Sequence, residues 1–193
     1  IDSDTDIIYK EEPKKAQLKS KSVEKDVMIP ACVLGVKLDP SSFASKSIMK
    51  KELVFSILID MILGKSSNLY DSLLDREIIN DSFSMDITLD DTYGFLLFAC
   101  NTDKVNEFYQ NIQEIILNIS VDDLTEKDFL RTKKQVIGGF IHALNSLEYI
   151  ANQYTKYHYA RWNLFDVLSI SQSITLEDVK SVTTLMHNEN QVS

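Results

Sequence analysis

The sequence predicts an α+β domain, and three observations carry that prediction. Residues 48–63 are apolar on nearly every helical face, which is typical of a buried helix. Residues 82–89 and 95–101 have strand length and are joined by the turn sequence DDTYG, so we expect them to pair as a hairpin. Beyond residue 103, apolar side chains recur every three or four positions, as they do on surface helices. Together with an earlier strand, these patterns give three strands and five or six helices.

The length of 193 residues suits one domain with its own core, and the 44% hydrophobic and 25% charged residues are the balance of an ordinary globular protein. No apolar run approaches the roughly 20 residues that span a bilayer. Residues 1–26 mix both signs of charge and are predicted to be a connector with a possible edge strand. Residues 27–193 are predicted to be a single domain. The chain starts at Ile1 and not at a methionine, in an acidic stretch without a secretory signal, so we interpret it as a piece of a longer protein.

The formal net charge is −9, and the sequence has no basic stripe with interleaved aromatic residues. This argues against a nucleic acid or an anionic membrane surface as the partner. Cys32 and Cys100 both fall in apolar strand sequences, where a small buried hydrophobic side chain is the ordinary interpretation. Two such thiols fit a reducing compartment, and we expect a cytoplasmic location.

The first strand is predicted at residues 28–38, where alternation places four side chains on one face: Cys32, Leu34, Val36 and Leu38. Pro30 is tolerated there only because it lies near the start of the strand. A loop over residues 39–47 leads into the long apolar helix. Gly64 is predicted to end that helix in a left-handed conformation, and Ser66 or Ser67 can cap a short helix over residues 67–77. The chain should therefore turn a tight corner.

The two hairpin strands differ in pattern. Residues 82–89 alternate strictly between polar and apolar side chains, which predicts a half-buried strand. Residues 95–101 form a nearly continuous apolar run, which is better suited to a strand that is covered on both faces.

Four helices are predicted after the hairpin. They begin at Asp103, at Thr125 in the capping sequence TEKD, at the cap NSLE of residues 145–148, and at the cap TLED of residues 175–178. The second should point one apolar face inward: Phe129, Val136, Ile137, Phe140, Ile141 and Leu144. Gly138 and Gly139 interrupt it, which suggests close packing against a neighbour or a bend. The third should carry Leu147, Ile150, Ala151, Tyr154 and Trp162, and the closing residues QVS can begin a further strand.

Histidines occur at positions 142, 158 and 187 only. None belongs to an H-x-x-E-H or H-E-x-x-H pair, which would place two imidazoles and a carboxylate on one helical face around zinc. The sequence therefore predicts no metal site, and hydrogen-bonded structural roles are favoured for His142 and His158. No nucleophile elbow or glycine-rich phosphate loop is present, although composition alone leaves Ser-His-Asp chemistry open.

Two further hypotheses stay open at this point. An aromatic group can line a peptide-binding surface, although core packing is the favoured interpretation of its members Tyr149, Tyr154, Tyr157, Tyr159 and Trp162. Cys100, at a strand end, is a candidate thiol nucleophile if its side chain is partly exposed.

A family resemblance lies in the run GKSSNLYDSLLDREIINDSFSMDI at residues 64–87. A long apolar helix, a glycine, S-x-L-[FY]-x-x-L, a charged turn and S-[FV]-S before a strand resemble the second domain of the insulinase/pitrilysin zinc metallopeptidases, which include the mitochondrial processing peptidases. The runs LTEKDFLRTKKQVIGGF, ALNSLEYIANQYTKY and NLFDVLSISQSITLEDVKSV are similar to the same domain, and closest to a bacterial cytosolic branch.

The resemblance implies a mostly antiparallel sheet backed by long helices. It also implies two such domains in tandem, and two halves that close around an unfolded peptide. The family's zinc motif H-x-x-E-H belongs to the first domain of a catalytic half and is absent here. The chain would thus be a non-catalytic C-terminal domain without a cofactor of its own. Its partners would be an upstream zinc-type domain, a homologous subunit in a dimer, and unfolded peptide.

The resemblance also identifies two positions at which many family members carry substrate-binding residues. An arginine and a tyrosine there hold the substrate backbone and the developing oxyanion; in this sequence their positions fall on Leu74 and Asp81. Leucine has no hydrogen-bond donor, and aspartate repels a carbonyl oxygen. Arg76 is a possible substitute, but a shift of two residues turns a helical side chain to another face.

Two functions are therefore predicted as alternatives. The first is a non-catalytic wall of a peptidase chamber, which positions a zinc domain, a dimer partner or a peptide. The second is a purely structural or assembly role, as in relatives without peptidase activity, and the loss of both site residues at Leu74 and Asp81 motivates it.

Overall fold

The computed structural model describes residues 13, 15–42, 48–90, 92–159 and 162–186, with the backbone alone at residue 159. This part of the chain forms three strands, seven α-helices and two single-turn 3-10 helices. The strands are β1 (Ala31–Leu38), β2 (Ser84–Leu89) and β3 (Gly94–Asn101). The helices are α1 (Ile48–Leu63), α2 (Asn68–Asp75), α3 (Val105–Leu117), α4 (Glu126–Ala143), α5 (Leu147–Tyr159), α6 (Asp166–Ser173) and α7 (Leu176–Thr183). The predicted α+β class is confirmed.

The strands form one antiparallel sheet in the order β1-β3-β2. The predicted hairpin of β2 and β3 is confirmed, with Met85 opposite Phe98, while β1 pairs along the other side of β3 with Cys32 opposite Cys100. β2 begins two residues later than predicted because residues 80–83 form a turn, closed by a hydrogen bond from the Phe83 N–H to the Asn80 carbonyl. Residues 15–26 contain no strand, so the predicted edge strand is not found there. Residues 1–12 and the closing QVS lie outside the described residues.

One face of the sheet packs into the core, and it is more deeply buried on β1 and β3 than on β2. The alternation predicted for β1 is confirmed, because Cys32, Leu34, Val36 and Leu38 all point into the core. β3 alternates between buried and half-buried residues, so the expectation that both its faces are covered is only partly correct. On the outer face, Phe95 is shielded by the ring of Tyr93, which stacks on it at a centroid distance of 6.1 Å.

Helix α1 packs against β2 and also against α4, α6 and α7. It contributes nine buried residues, which confirms the predicted core helix: Ile48, Met49, Val54, Phe55, Ile57, Leu58, Ile59, Met61 and Leu63. Within the described residues no single helix is long and apolar enough to cross a membrane. α1 and α2 reach that length only as a pair bent by 50°.

The bend follows Gly64, whose predicted left-handed conformation is wrong, since no described glycine has a positive φ. Glycine is needed there for a different reason: a Cβ atom would lie 2.3 Å from the carbonyl oxygen of Asp60. The α2 helix begins as predicted, because the Ser67 hydroxyl accepts a hydrogen bond from the Tyr70 N–H.

A polar stripe interrupts the apolar surface of α1. Glu52, Ser56 and Asp60 stand at four-residue intervals, which places them on one face of the helix. The Glu52 carboxylate accepts a hydrogen bond from the Leu89 N–H at 3.2 Å and lies 3.9 Å from Lys156 Nζ. Burial raises the pKa of Glu52 and that of Asp60. The stripe therefore links the core helix to the end of β2 and to α5.

The C-terminal helices begin where the sequence predicts, except that α6 was not anticipated as a separate helix. Thr125 caps α4, and Thr175 and Asp178 form a reciprocal capping box at α7. The apolar stripe of α3 is confirmed by buried Phe108, Ile112 and Ile116.

The inward face predicted for α4 is partly wrong, and two of the large side chains of α5 are exposed as well. Ile141 is 52% exposed, Leu147 is 84% exposed and Tyr154 is exposed as well. Apart from adjacent residues and the nearby backbone of α4 itself, no atom lies within 4 Å of a Cβ built on Gly138 or Gly139, and α4 runs through both without interruption. The predicted close packing at these glycines is therefore wrong, and this face of the helix is bare in the described part of the chain.

Lys133 provides a first test of how α4 packs against α6. Its Nζ donates hydrogen bonds to the carbonyls of Gln172 and Ile174, at 2.7 and 2.6 Å, where α6 ends. The Lys133→Met variant keeps the apolar stem but leaves these carbonyls without their cation, so the free energy of unfolding should fall by about 1–2 kcal/mol. Denaturant unfolding measures it. The matched control is Lys134→Met, because exposed Lys134 makes no hydrogen bond or ion pair with the described residues. Equal losses in the two variants would contradict the capping role.

Two carboxyl groups whose pKa values are shifted in opposite directions allow a second test. Asp178 accepts hydrogen bonds from Lys50 Nζ and from the Thr175 N–H and hydroxyl, at 2.9, 2.8 and 2.9 Å. Partial burial alone would raise the pKa of Asp178, but these bonds lower it below the ordinary 3.8. Its contribution to stability is therefore present above pH 3.8 and is lost as the pH falls through the lower folded pKa. For Glu52 the folded state binds the proton more tightly, so stability falls as the pH rises above the ordinary 4.5.

Removing either carboxyl group should therefore change the free energy of unfolding with pH, in opposite directions for the two. Relative to wild type, Asp178→Asn should lose unfolding free energy as the pH rises from about 2 to 5, and Glu52→Gln should gain it from about 4 to 7. Chemical denaturation at a series of pH values measures both differences. Slopes of the same sign would show that one of the two assignments is wrong.

Candidate functional site

The two family positions lie at the end of α2 and in the turn that follows. Leu74 is in the last turn of α2 and is 39% exposed, while Asp81 is exposed in the turn before β2. Arg76 is the C-cap residue of α2, and its N–H donates to the carbonyls of Ser72 and Leu74. The assignment of these residues to a substrate site stays a prediction.

Arg76 points toward α3. Its Nη1 donates a hydrogen bond to Asn111 Oδ1 at 3.0 Å, and its carbonyl accepts one from Lys104 Nζ at 2.7 Å. Leu74 does not line the same groove as Arg76, whereas four other residues of α2 do: Asn68, Leu69, Ser72 and Leu73. The guanidinium therefore leaves the helix from a different face and does not take the place of a side chain at position 74.

The turn that carries Asp81 is held by its neighbours. Asn80 Nδ2 donates to the Asn101 carbonyl at 2.7 Å, and Asn80 Oδ1 accepts hydrogen bonds from the N–H and hydroxyl of Ser82, at 2.9 and 2.6 Å. The Ser82 hydroxyl oxygen in turn accepts from the Asn101 N–H at 2.9 Å. Asp81 is thus presented at the tip of a fixed turn. An ionised carboxylate only accepts hydrogen bonds, so neither Leu74 nor Asp81 can stabilise a developing oxyanion.

The chain enters this turn through a strained residue. Glu77 has a φ of 55°, in the left-handed region that non-glycine residues seldom adopt. Directly after it, Ile78 and Ile79 are fully buried, and the Ile78 N–H donates to the Leu73 carbonyl at 2.9 Å. The change of chain direction at Glu77 therefore allows two large side chains to fill the core below the site.

Beside Arg76 lies an open groove of about 880 Å³, formed by the corner between α1 and α2, by α3, by residues 118–124 and by the first turns of α4. Its floor is apolar and consists of Ile62, Leu69, Leu73, Ile115, Ile119 and Leu124. Its rim is rich in amides and hydroxyls, including Asn68, Ser72, Asn111, Asn118 and Ser120. The groove could not be predicted from the sequence, because two stretches distant from each other in sequence, residues 61–76 and 111–131, build it together.

The remaining candidate groups do not gather into a reaction centre. The side chain of His142 is exposed and makes no hydrogen bond with the described residues, contrary to the structural role favoured for it. His158 is exposed as well, and its ring stacks on the Tyr154 ring at a centroid distance of 6.3 Å. His187 lies outside the described residues. Among those described, no three His, Cys, Asp or Glu side chains are grouped to hold a metal ion.

Cys100 is only 2% exposed and lies opposite Cys32 in the sheet. Burial, and to a smaller extent Cys100, raise the pKa of the Cys32 thiol. A reactive thiolate must be partly exposed, and Cys100 is buried, so its environment argues against the thiol hypothesis.

The aromatic group is divided between core and surface. Tyr157 is buried against Trp162, with ring centroids 5.6 Å apart. Burial, together with Glu52 and Tyr149, raises the pKa of Tyr157 to about 12. Core packing is thus correct for Tyr157 and wrong for exposed Tyr154; the side chain of residue 159 lies outside the described part.

Comparison with known proteins agrees with the fold. Residues 7–136 match the family described as the peptidase M16 inactive domain. The uncharacterized zinc protease YmfH of Bacillus subtilis (strain 168) is 37% identical over 164 residues, which are 85% of this chain and 38% of that protein. The chain therefore spans well under half the length of this relative.

Solved structures share the architecture. A protein described as an M16-like peptidase from Alicyclobacillus acidocaldarius has a TM-score of 0.81 at 21% identity, over 96% of this chain and 44% of that chain. The inactive peptidase domain of a protein described as a zinc protease from Bordetella parapertussis has a TM-score of 0.62 at 12% identity, over 89% of this chain and 94% of that one. The predicted resemblance is confirmed: the chain belongs to the M16 family of peptidases, and it corresponds to the family's inactive domain.

Proposed function

We propose that this domain is the non-catalytic wall of a peptidase chamber, which holds a zinc-bearing domain in place and contributes surface to the enclosed polypeptide. The observation that carries the proposal is the match to the inactive M16 domain, in a chain whose family positions Leu74 and Asp81 have no donor for an oxyanion. Cleavage would then depend entirely on groups outside this domain.

The length of the relatives supports a second domain. YmfH is named a zinc protease, and the present chain covers 38% of it, which leaves ample length for a zinc-bearing domain. On this proposal that domain lies upstream of the present one in the whole protein, or in a homologous partner subunit.

The bare face of α4 is the surface that we assign to interdomain or dimer contacts. Leu130 and Ile141 are eleven residues apart, close to three full turns, so both lie on one side of the helix. Both are exposed, and Gly138 between them lets another backbone approach closely. Large exposed apolar side chains that share one face are typical of a surface covered by another protein.

A structural or assembly role is the second candidate. Leucine at position 74 and aspartate at 81 favour it, because a domain that assists cleavage has no reason to lose both donors. Whether the full-length protein cleaves peptides separates the two.

The proposal predicts inactivity in isolation. The purified chain should bind no stoichiometric zinc, measured by metal analysis after dialysis, and should hydrolyse no peptide in a fluorogenic screen. The full-length protein, alone or with a homologue encoded beside it, should show chelator-sensitive cleavage. Zinc-dependent cleavage by this chain alone would contradict the proposal, and an inactive full-length protein with a zinc-bearing homologue present would favour the assembly role.

The α4 surface can be tested in the full-length protein. The double variant Leu130→Asp/Ile141→Asp should lower peptide cleavage about tenfold or more, because charged side chains are costly in a desolvated interface. The matched control is Leu18→Asp, an exposed leucine outside the helices. The variant domain should unfold at the wild-type denaturant concentration, since both leucine and isoleucine are exposed. Wild-type cleavage by the double variant would remove this surface from the proposal.

A further inference from the structure

We infer that the groove beside α2 is a docking site for an extended polypeptide segment that carries one acidic side chain, with Arg76 as the anchor. The inference rests on the proposed function, because it names the place at which the domain would hold polypeptide and the chemistry that it would select. Three features of the groove support it: the regular spacing of polar side chains along α2, the apolar floor, and the charged side chains.

The repeat along α2 matches an extended chain. Asn68, Ser72 and Arg76 stand four residues apart and all line the groove, so they form a polar row on one face of the helix. Four residues of helix advance about 6 Å, and two residues of an extended chain advance about 6.6 Å. A segment lying along α2 would therefore bring every second residue to one of these three side chains.

Two members of the row are ready to bind a peptide backbone. The side chains of Asn68 and Ser72 make no hydrogen bond with the described residues. An amide and a hydroxyl both donate and accept, which suits the alternating N–H and C=O groups of a backbone and does not depend on its sequence. Beside the row, Leu69 is 42% exposed, and Ile62 and Ile115 are half-buried, so alternate apolar side chains of the segment have a floor to cover.

The charge selects an acidic side chain at the Arg76 end. Arg131, the other arginine of the groove, is paired with Asp128 at 3.1 Å. Arg76 has no carboxylate partner among the described residues, and its one side-chain hydrogen bond goes to Asn111. Asn111 is itself held, since its Nδ2 donates to the Glu107 carbonyl at 2.8 Å. A guanidinium has five donors, so most of them stay available for a carboxylate.

The same surroundings limit the ligand to a single acidic group. Glu114, Asp123 and Asp128 also line the groove, and they would repel a strongly acidic peptide. A mostly neutral segment with one Asp or Glu opposite Arg76 would pair with the guanidinium and would avoid most of this repulsion.

The test uses three fluorescein-labelled ten-residue peptides of Ser, Thr and Leu. The first has one central Glu and blocked ends, the second has Gln in its place, and the third is the Gln peptide with a free C-terminal carboxylate. By fluorescence anisotropy, the chain should bind the Glu peptide about tenfold more tightly than the Gln peptide, as expected for one charge-assisted contact. Arg76→Gln should abolish that difference, whereas Arg131→Gln should preserve it, and Ser72→Trp should weaken both blocked peptides by filling the row.

Equal binding of the Glu and Gln peptides, or a preference that survives Arg76→Gln, would overturn the inference. Arg76-dependent preference for the free carboxylate over the internal Glu would overturn it too, in favour of recognition of a chain end. Arg76 is exposed, so unfolding curves should show the variants to be folded. Chelator-sensitive cleavage by the full-length protein, with no Arg76-dependent preference, contradicts this inference alone; a preserved preference in an inactive full-length protein contradicts the proposed function alone.

Discussion

Burial of α1 is the constraint on which the rest of this domain depends. A three-stranded antiparallel sheet with one apolar face cannot exclude water by itself, and α1 supplies the apolar surface that packs on it. The C-terminal helices then pack on α1. Polar contacts fix its position within this apolar environment: Lys50 binds Asp178 at the start of α7, and Glu52 binds the end of β2. The sheet and the C-terminal helices are thus arranged around one helix that contacts both.

The position of the candidate site follows from how α1 ends. At Gly64 the Asp60 carbonyl comes so close that no side chain fits, and the chain turns by 50° into α2. The turned helix leaves a groove toward α3, and the left-handed residue Glu77 then returns the chain to the sheet over buried Ile78 and Ile79. A corner required by packing therefore creates the concave surface that we assign to polypeptide.

Local chemistry made much of this fold predictable, and its limits are equally physical. Strand alternation and the caps at Ser67, Thr125 and Thr175 depend on neighbours in sequence, so the predicted elements begin close to where they are observed. Periodicity shows which face of a helix is apolar, but it does not show whether anything covers that face. Ile141 was therefore expected to be inside and lies outside. The groove depends on distant segments, and Arg76 could be named from the sequence while its direction toward Asn111 could not.

Under the proposed function, substrate binding and transition-state stabilisation would belong to different domains. Binding that is equal in the ground state and the transition state lowers KM without raising kcat, whereas contacts to a developing charge raise kcat. Leu74 and Asp81 have no donor for such a charge, but Asn68, Ser72 and Arg76 form a row of polar side chains suited to a ground-state polypeptide. On these proposals, the domain would capture substrate and leave transition-state stabilisation to groups outside it. It would therefore determine which polypeptides are held, and the zinc-bearing domain would determine how fast they are cut.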